Sequence, residues 1–260
     1  MSTDSTATPS ITPAIHVLHN RVILVTGALE GVGRAVALAC AAAGASVILS
    51  SFEQADLEPV YDQIVAAGYP EPAILPLNLD TATEPTYLAA AAVIGDTFGR
   101  LDGLAHCAVS APFLSRIDDY DANEWERVIR INLNAPFLLT QACLPLLRLA
   151  EEAAIVFTAD RVGRQGLAYW GAYAAAKFGI EGLMQVLAEE TRASTQMRVN
   201  SLDPGILRTA LRANLYPGED PHSHPDPVTV APAYVQLLGP EGRELTGQAL
   251  RVEAGRAVLI

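Results

Sequence analysis

The chain has 260 residues, half of them hydrophobic, with 17 Lys+Arg against 29 Asp+Glu and a formal net charge of −12. A disordered chain is excluded, and the length suits one large α/β domain with a sizeable core. Clustered Lys and Arg are absent, which argues against a nucleic-acid partner. In chain order, MSTDSTATPSITP lacks the basic and apolar regions of a targeting peptide, so residues 1–20 read as a mobile polar tail ahead of a domain over 21–260. Seven strands are expected: Arg21–Thr26, Ala45–Ser50, Ala73–Asn78, Leu101–Cys107, Ala153–Thr158, Met197–Leu202 and Gln248–Glu253. Ala-rich helical stretches lie between them, at Val32–Ala43, Ala55–Ala67, Glu84–Phe98, Asn123–Leu149 and Ala172–Ala193. Such alternation predicts an α/β fold: a single-domain, doubly wound, seven-stranded parallel sheet of Rossmann type. From Pro204 to Pro227 the prolines and polar residues of YPGEDPHSHPDP predict a long loop.

Cys40, Cys107 and Cys143 are odd in number and widely spaced, which points to neither disulfides nor zinc and to a reducing cytoplasm. The longest apolar stretch, Ala35–Leu49, is interrupted by Gly44 and Ser46 and falls short of the roughly 20 residues a membrane span needs. His222, His224 and Asp226 lie in the proline-rich segment without the fixed surroundings a metal requires, so no metal is assigned.

Three motifs carry chemistry. The first strand runs into TGALEGVG, where Gly27, Gly31 and Gly33 allow a tight turn, backbone approach to a pyrophosphate and close helix packing. A ligand-free strand-to-helix turn is the bland alternative. Tyr173 and Lys177, in YAAAK, share a helix face, so the ammonium can lower the phenol's pKa and make it a usable acid; a surface Tyr and Lys is the alternative. Pro136 has no N–H for the carbonyl of Asn132, which predicts a kinked helix with a polar pocket, or a purely structural bend.

Together these residues resemble the short-chain dehydrogenase/reductase family over nearly the whole chain, and VGRQGLAYWGAYAAAKFG is similar to its YciK-type oxidoreductase branch. The resemblance implies a Rossmann-type fold and hydride transfer between NAD or NADP and a small-molecule carbonyl or alcohol. Tyr173 would be the proton donor and acceptor, Lys177 would hold the ribose, and Asn132 would position a relay water. Gly27, Gly31 and Gly33 match its cofactor loop, while Pro204, Gly205 and Thr209 match a PGxxxT segment that places Thr209 on the nicotinamide carboxamide. Asn78 stands where an acid lies near the adenine, and Ala108 belongs to the strand-end segment that contacts cofactor. The resemblance also implies a homodimer or homotetramer built through the helices of Asn132 and Tyr173.

Several positions depart from the family. Asp160 replaces a serine that donates to the substrate carbonyl, so Asp160 must act protonated or the rate suffers by about a hundred to a thousandfold. His106, Cys107, Ala108 and Val109 replace Asn-Asn-Ala-Gly, with Val109 bringing a branched Cβ to the cofactor groove. Ser50, Ser51 and Phe52 offer neither the Asp of NAD sites nor the Arg of NADP sites. Glu30 would repel a 2′-phosphate and Glu53 could reach the ribose, which leans toward NAD. These departures keep two alternatives open: an inactive descendant serving as a binding, regulatory or assembly module, and a nucleotide sensor without turnover.

Overall fold

A computed structural model of the chain describes residues 16–193 and 197–260. Most of the expected tail lies outside the described residues. Its last part does not behave as a tail, because Leu18 is fully buried and its N–H donates to the Ala43 carbonyl.

The chain alternates as expected: β1 (Val22–Thr26), α1 (Gly31–Ala42), β2 (Ser46–Ser51), α2 (Gln54–Ala66), β3 (Ala73–Pro76), α3 (Glu84–Phe98) and β4 (Gly103–His106). Then come α4 (Ala122–Ile129), α5 (Ala135–Leu147), β5 (Ala153–Thr158), α6 (Gly171–Thr191) and β6 (Met197–Asp203). The chain ends with α7 (Ala210–Leu215), α8 (Ala231–Leu238), β7 (Ala249–Glu253) and β8 (Arg256–Leu259). The sheet runs β3-β2-β1-β4-β5-β6-β7-β8. All neighbours are parallel except β7 and β8, so the fold is the expected doubly wound sheet extended by one antiparallel strand. The hairpin turn is Ala254-Gly255, both at positive φ (48° and 76°), the geometry of a tight turn matched to strand twist.

Strand alternation sends successive side chains to opposite faces, which divides the core in two. Ile23, Val25, Val47 and Leu49 pack with Val36 and Cys40 of α1, Leu57 of α2 and Tyr234 of α8. Leu24, Ile48, Leu104 and Ile155 face the other way, onto Tyr87 of α3, Leu139 of α5 and Met184 of α6. No helix among the described residues is long and apolar enough to cross a membrane.

Three expectations change. The helix expected over Asn123–Leu149 is α4 and α5 joined by a π turn, Arg130–Asn134, in which the Ala135 N–H reaches the Arg130 carbonyl. The missing N–H of Pro136 is accommodated by this wider turn. The segment 204–227 is no structureless loop: it holds α7 and single 3-10 turns at Pro221–Ser223 and Pro227–Thr229. Arg212 pairs with Glu219 at 2.6 Å and Arg208 with Asp226 at 2.7 Å, and these ion pairs add to the apolar packing of Leu207, Leu211 and Leu215. His224 Nε2 donates to Glu219 Oε2 at 2.9 Å, and His222 Nδ1 lies 3.3 Å from an Arg208 nitrogen. Helix α8 was not expected at all.

Candidate active site

β1 neighbours both β2 and β4, so connections leave it in opposite directions and open a crevice beyond the strands' carboxyl ends. A cleft of about 290 Å³ lies there. Its floor is made by the ends of β1, β2, β4, β5 and β6, with Thr26, Ser51, Cys107, Thr158 and Asp203 among its lining residues.

Each glycine of the first loop has a separate reason to be glycine. A Cβ on Gly33 would fall 2.2 Å from the Gly27 carbonyl oxygen, and one on Gly27 would fall 2.8 Å from Ala108 Cα. Those two are demanded by the chain's own packing. A Cβ on Gly31 would meet only Thr209 Cγ2, at an ordinary 3.6 Å, so it is the positive φ of 55° that calls for glycine there. Helix α1 starts at Gly31, and Glu30 caps it with no side-chain hydrogen bond. The first amide N–H groups of a helix have no partner within it, and here they border the cleft as an anion-binding end.

The far wall follows β4. Thr26 Oγ1 accepts from the Cys107 and Ala108 N–H groups at 3.1 and 3.2 Å, tying that segment to β1. Val109 lines the cleft yet stays 38% exposed and leaves it open. His106 points inward instead, bonded to Thr140 at 2.9 Å and stacked on Phe157, and burial holds its pKa down to about 3. Asn132 is buried behind this wall. Its Oδ1 accepts from the Ser110 N–H at 3.0 Å, while Nδ2 donates to the carbonyls of Ser110 at 2.7 Å and Val128 at 2.8 Å. It therefore clamps Ser110, a lining residue, to the π turn.

Asn78 and Glu53 are not brought into the cleft. Asn78 Oδ1 accepts from the Asp80 N–H at 3.0 Å to close a turn, and Glu53 caps α2; Leu77, Leu79, Ser51 and Phe52 line that end instead. Pro204, Gly205 and Thr209 do line it, with Thr209 Oγ1 capping α7 by accepting from the Arg212 N–H.

At the other end, Tyr173, Lys177 and Asp160 come together. The Tyr173 hydroxyl donates to Asp160 Oδ2 at 3.2 Å, and Asp160 Oδ1 accepts from the Val162 N–H at 3.0 Å. Lys177 Nζ donates to the Thr158 carbonyl at 2.7 Å and lies 5.4 Å from the Tyr173 ring centroid. Burial and then the nearby Asp160 carboxylate push the Tyr173 pKa well above the usual phenol value, so the lowering expected from Lys177 is outweighed. Burial also draws the Lys177 pKa down, against the pull of Asp160. The loop bearing Asp160 rides directly on α6: a Cβ on Gly163 would fall 2.7 Å from Lys177 Cβ and 2.8 Å from its carbonyl carbon.

Sequence reading missed Tyr234, Arg164 and Glu181 behind this constellation. Thr158 Oγ1 is bonded to Tyr234 Oη at 2.8 Å, from the unexpected helix α8. Arg164 pairs with Glu181 at 2.7 Å and lies 3.8 Å from Asp203, whose Oδ1 accepts from the Gly205 N–H at 2.8 Å. Trp170 lies 5.3 Å from the Tyr173 ring and lines the cleft, whereas Tyr169 is outside it and 56% exposed.

A family model described as short chain dehydrogenase matches residues 21–220. The chain belongs to the short-chain dehydrogenase family. It is 40% identical to YciK of Escherichia coli (strain K12), an uncharacterized oxidoreductase, over 94% of this chain and 96% of that one. It is 33% identical to the cyclohexanol dehydrogenase of Acinetobacter sp. (strain SE19), over 90% and 94% of the two chains. A short-chain dehydrogenase from Shigella flexneri, solved in complex with NADP, superimposes with a TM-score of 0.88 at 40% identity, covering 92% of this chain and 99% of that one. For a short-chain dehydrogenase the open cleft and the start of α1, which has no side-chain cap, fit a nicotinamide dinucleotide.

Proposed function

We propose that the protein is an oxidoreductase that moves a hydride between NAD(P) and the carbonyl carbon of a small molecule, or the carbinol carbon of the corresponding alcohol. The observation that carries this reading is Tyr173, its hydroxyl and the Lys177 ammonium facing one open cleft that begins at the anion-binding end of α1. Bound there, the dinucleotide would supply or accept the hydride. The amides at the start of α1 would hold its pyrophosphate, with Gly27, Gly31 and Gly33 setting the loop. Ala108, Pro204 and Gly205 would form walls against it, and Thr209 would reach its carboxamide. Asn78 would act only through the turn it closes.

In reduction, the carbonyl carbon gains the hydride and its oxygen takes the proton from Tyr173. In oxidation, Tyr173 accepts that proton. Lys177 would bind the ribose by releasing the Thr158 carbonyl. Asn132 positions the Ser110 wall, and its carbonyl, to which Pro136 has no N–H to donate, would take a relay water. Asp160 stands beside the reacting oxygen. Its two oxygens already serve as acceptors, which supports an acceptor's role for it rather than a donor's.

Glu30 on the cleft, and Ser51 and Phe52 in place of an arginine, favour NAD over NADP. The buried, unpaired Cys40, Cys107 and Cys143 suit a reducing cytoplasm. Exposed Phe137 on α5 and Phe178 and Val186 on α6 support a homodimer or homotetramer formed through those helices.

Calorimetric titration of the purified protein with NADH and NADPH is the test. Saturable binding of at least one, tighter for NADH, is expected. Tighter NADPH binding overturns the cofactor preference alone, and binding of neither at millimolar concentration overturns the oxidoreductase reading.

A further inference from the structure

We infer that the substrate carries a protonated amine on the carbon next to its carbonyl or carbinol carbon, and that Asp160 recognises it. This deepens the oxidoreductase reading and rests on it.

Asp160 Oδ2 lies 3.2 Å from the Tyr173 hydroxyl, so any substrate oxygen that takes the phenol's hydrogen bond must sit beside a carboxylate oxygen. A neutral ketone would turn its lone pairs toward that oxygen with no donor between them, and charge developing on it would be repelled. The carboxylate cannot turn away, because Oδ1 is held by the Val162 N–H and the loop rests on the α6 backbone at Lys177. The polar groups nearest to it already have partners. Thr158 Oγ1 is bonded to Tyr234, and Lys177 Nζ to the Thr158 carbonyl. Asp203 adds a second carboxylate.

An ammonium one carbon from the reacting carbon resolves this conflict. One N–H donates to Asp160 Oδ2 and another to the substrate's own oxygen as charge builds there. The substrate thereby brings the donor that the family's serine provides. Its positive charge would sit beside the rings of Trp170 and Tyr173, whose faces attract cations. Leu211 and Leu215 complete an apolar side for the rest of the molecule. Arg161, exposed on the same cleft, opposes this preference and favours an amine bound at the Asp160 side only.

The test compares two ketones of nearly identical shape, aminoacetone below neutral pH, where it is protonated and carries three N–H groups, and uncharged butanone. Each is reduced by the enzyme with the cofactor it binds. The carbonyl carbon gains the hydride of the reduced nicotinamide, the oxygen gains the Tyr173 proton, and the oxidised cofactor is released. Wild-type kcat/KM should favour the charged ketone by about tenfold or more, the scale of one charge-assisted hydrogen bond. Asp160→Ser and Asp160→Asn should each bring the ratio close to one, losing rate on the charged ketone and gaining it on the neutral one. Equal use of the two ketones by the wild type, or a ratio that survives both substitutions, overturns the inference.

If turnover is too slow to follow, saturation-transfer NMR of the two ketones on the cofactor-loaded protein gives the same comparison, and equal transfer overturns it. A protein that binds cofactor but ignores the charge fails this inference alone. One that binds no cofactor fails the broader reading and takes this inference with it.

Discussion

Tyr173 meets a carboxylate where its relatives' motif provides a hydroxyl, and this sets its acidity. Burial and Asp160 both stabilise the neutral phenol, so tyrosinate forms only at a pH above the ordinary range. Removing the carboxylate removes one of those causes. Asp160→Ser should therefore move the ionisation of Tyr173 to lower pH, read as an ultraviolet tyrosinate titration with Tyr173→Phe as the blank. Near neutrality the phenol therefore keeps its proton and is ready to donate it. Much of this was legible in the sequence, since counting thirteen residues back from Tyr173 exposes Asp160. The partner of Lys177 was not legible. Helical spacing places Tyr173 and Lys177 on one face, but the rotamer that sends Nζ to the Thr158 carbonyl depends on tertiary packing. Asn78 was misleading for a similar reason, because a short amide side chain closes its own turn as readily as it meets a ligand.

Among the elements, the π turn between α4 and α5 matters most to the cleft. It swings Asn132 so that one amide satisfies both the N–H and the carbonyl of Ser110, and with them the wall that carries Val109. Asn132→Ala deletes three hydrogen bonds, one buried and two partly buried, and takes the Asn132 partner from the N–H and carbonyl of Ser110. It should lower stability by about 3 kcal/mol, measured by urea denaturation, and weaken cofactor binding in parallel. Pro136 announced an irregularity here, yet the sequence could not say whether the helix would kink or widen. The strands β1 to β7 were readable because β-branched runs end at glycine or polar residues. Helix α8 was not, since APAYVQLL is only two turns long and follows a proline-rich stretch that resembles loop. Strand β8 was hidden by an Ala-Gly turn in place of the usual Asn-Gly. Ion pairs help to hold the 204–227 segment, and such pairing leaves no periodic trace in the sequence.

At the scale of the whole molecule, α6 serves two surfaces. Tyr173 and Lys177 face the cleft, while Phe178 and Val186 are 47% and 56% exposed on its outside. In the proposed assembly those apolar side chains are covered by a second copy. Phe178→Glu should therefore reduce the mass seen by light scattering to that of one chain, and an unchanged mass would reject α6 as the contact. The two-sided core was legible from strand alternation and α/β order. The assembly was not, because an exposed apolar face looks the same in sequence whether a neighbour covers it or water does. The contact of Gly163 with the Lys177 backbone has a broader consequence. The stretch bearing residue 160 and the rod bearing residue 173 form one stiff jaw, with an opening set by main-chain atoms. Exchanging the side chain at 160 therefore retunes the polarity of the bite without altering its gape, which is how one scaffold can pass from neutral to charged cargo in a single codon change.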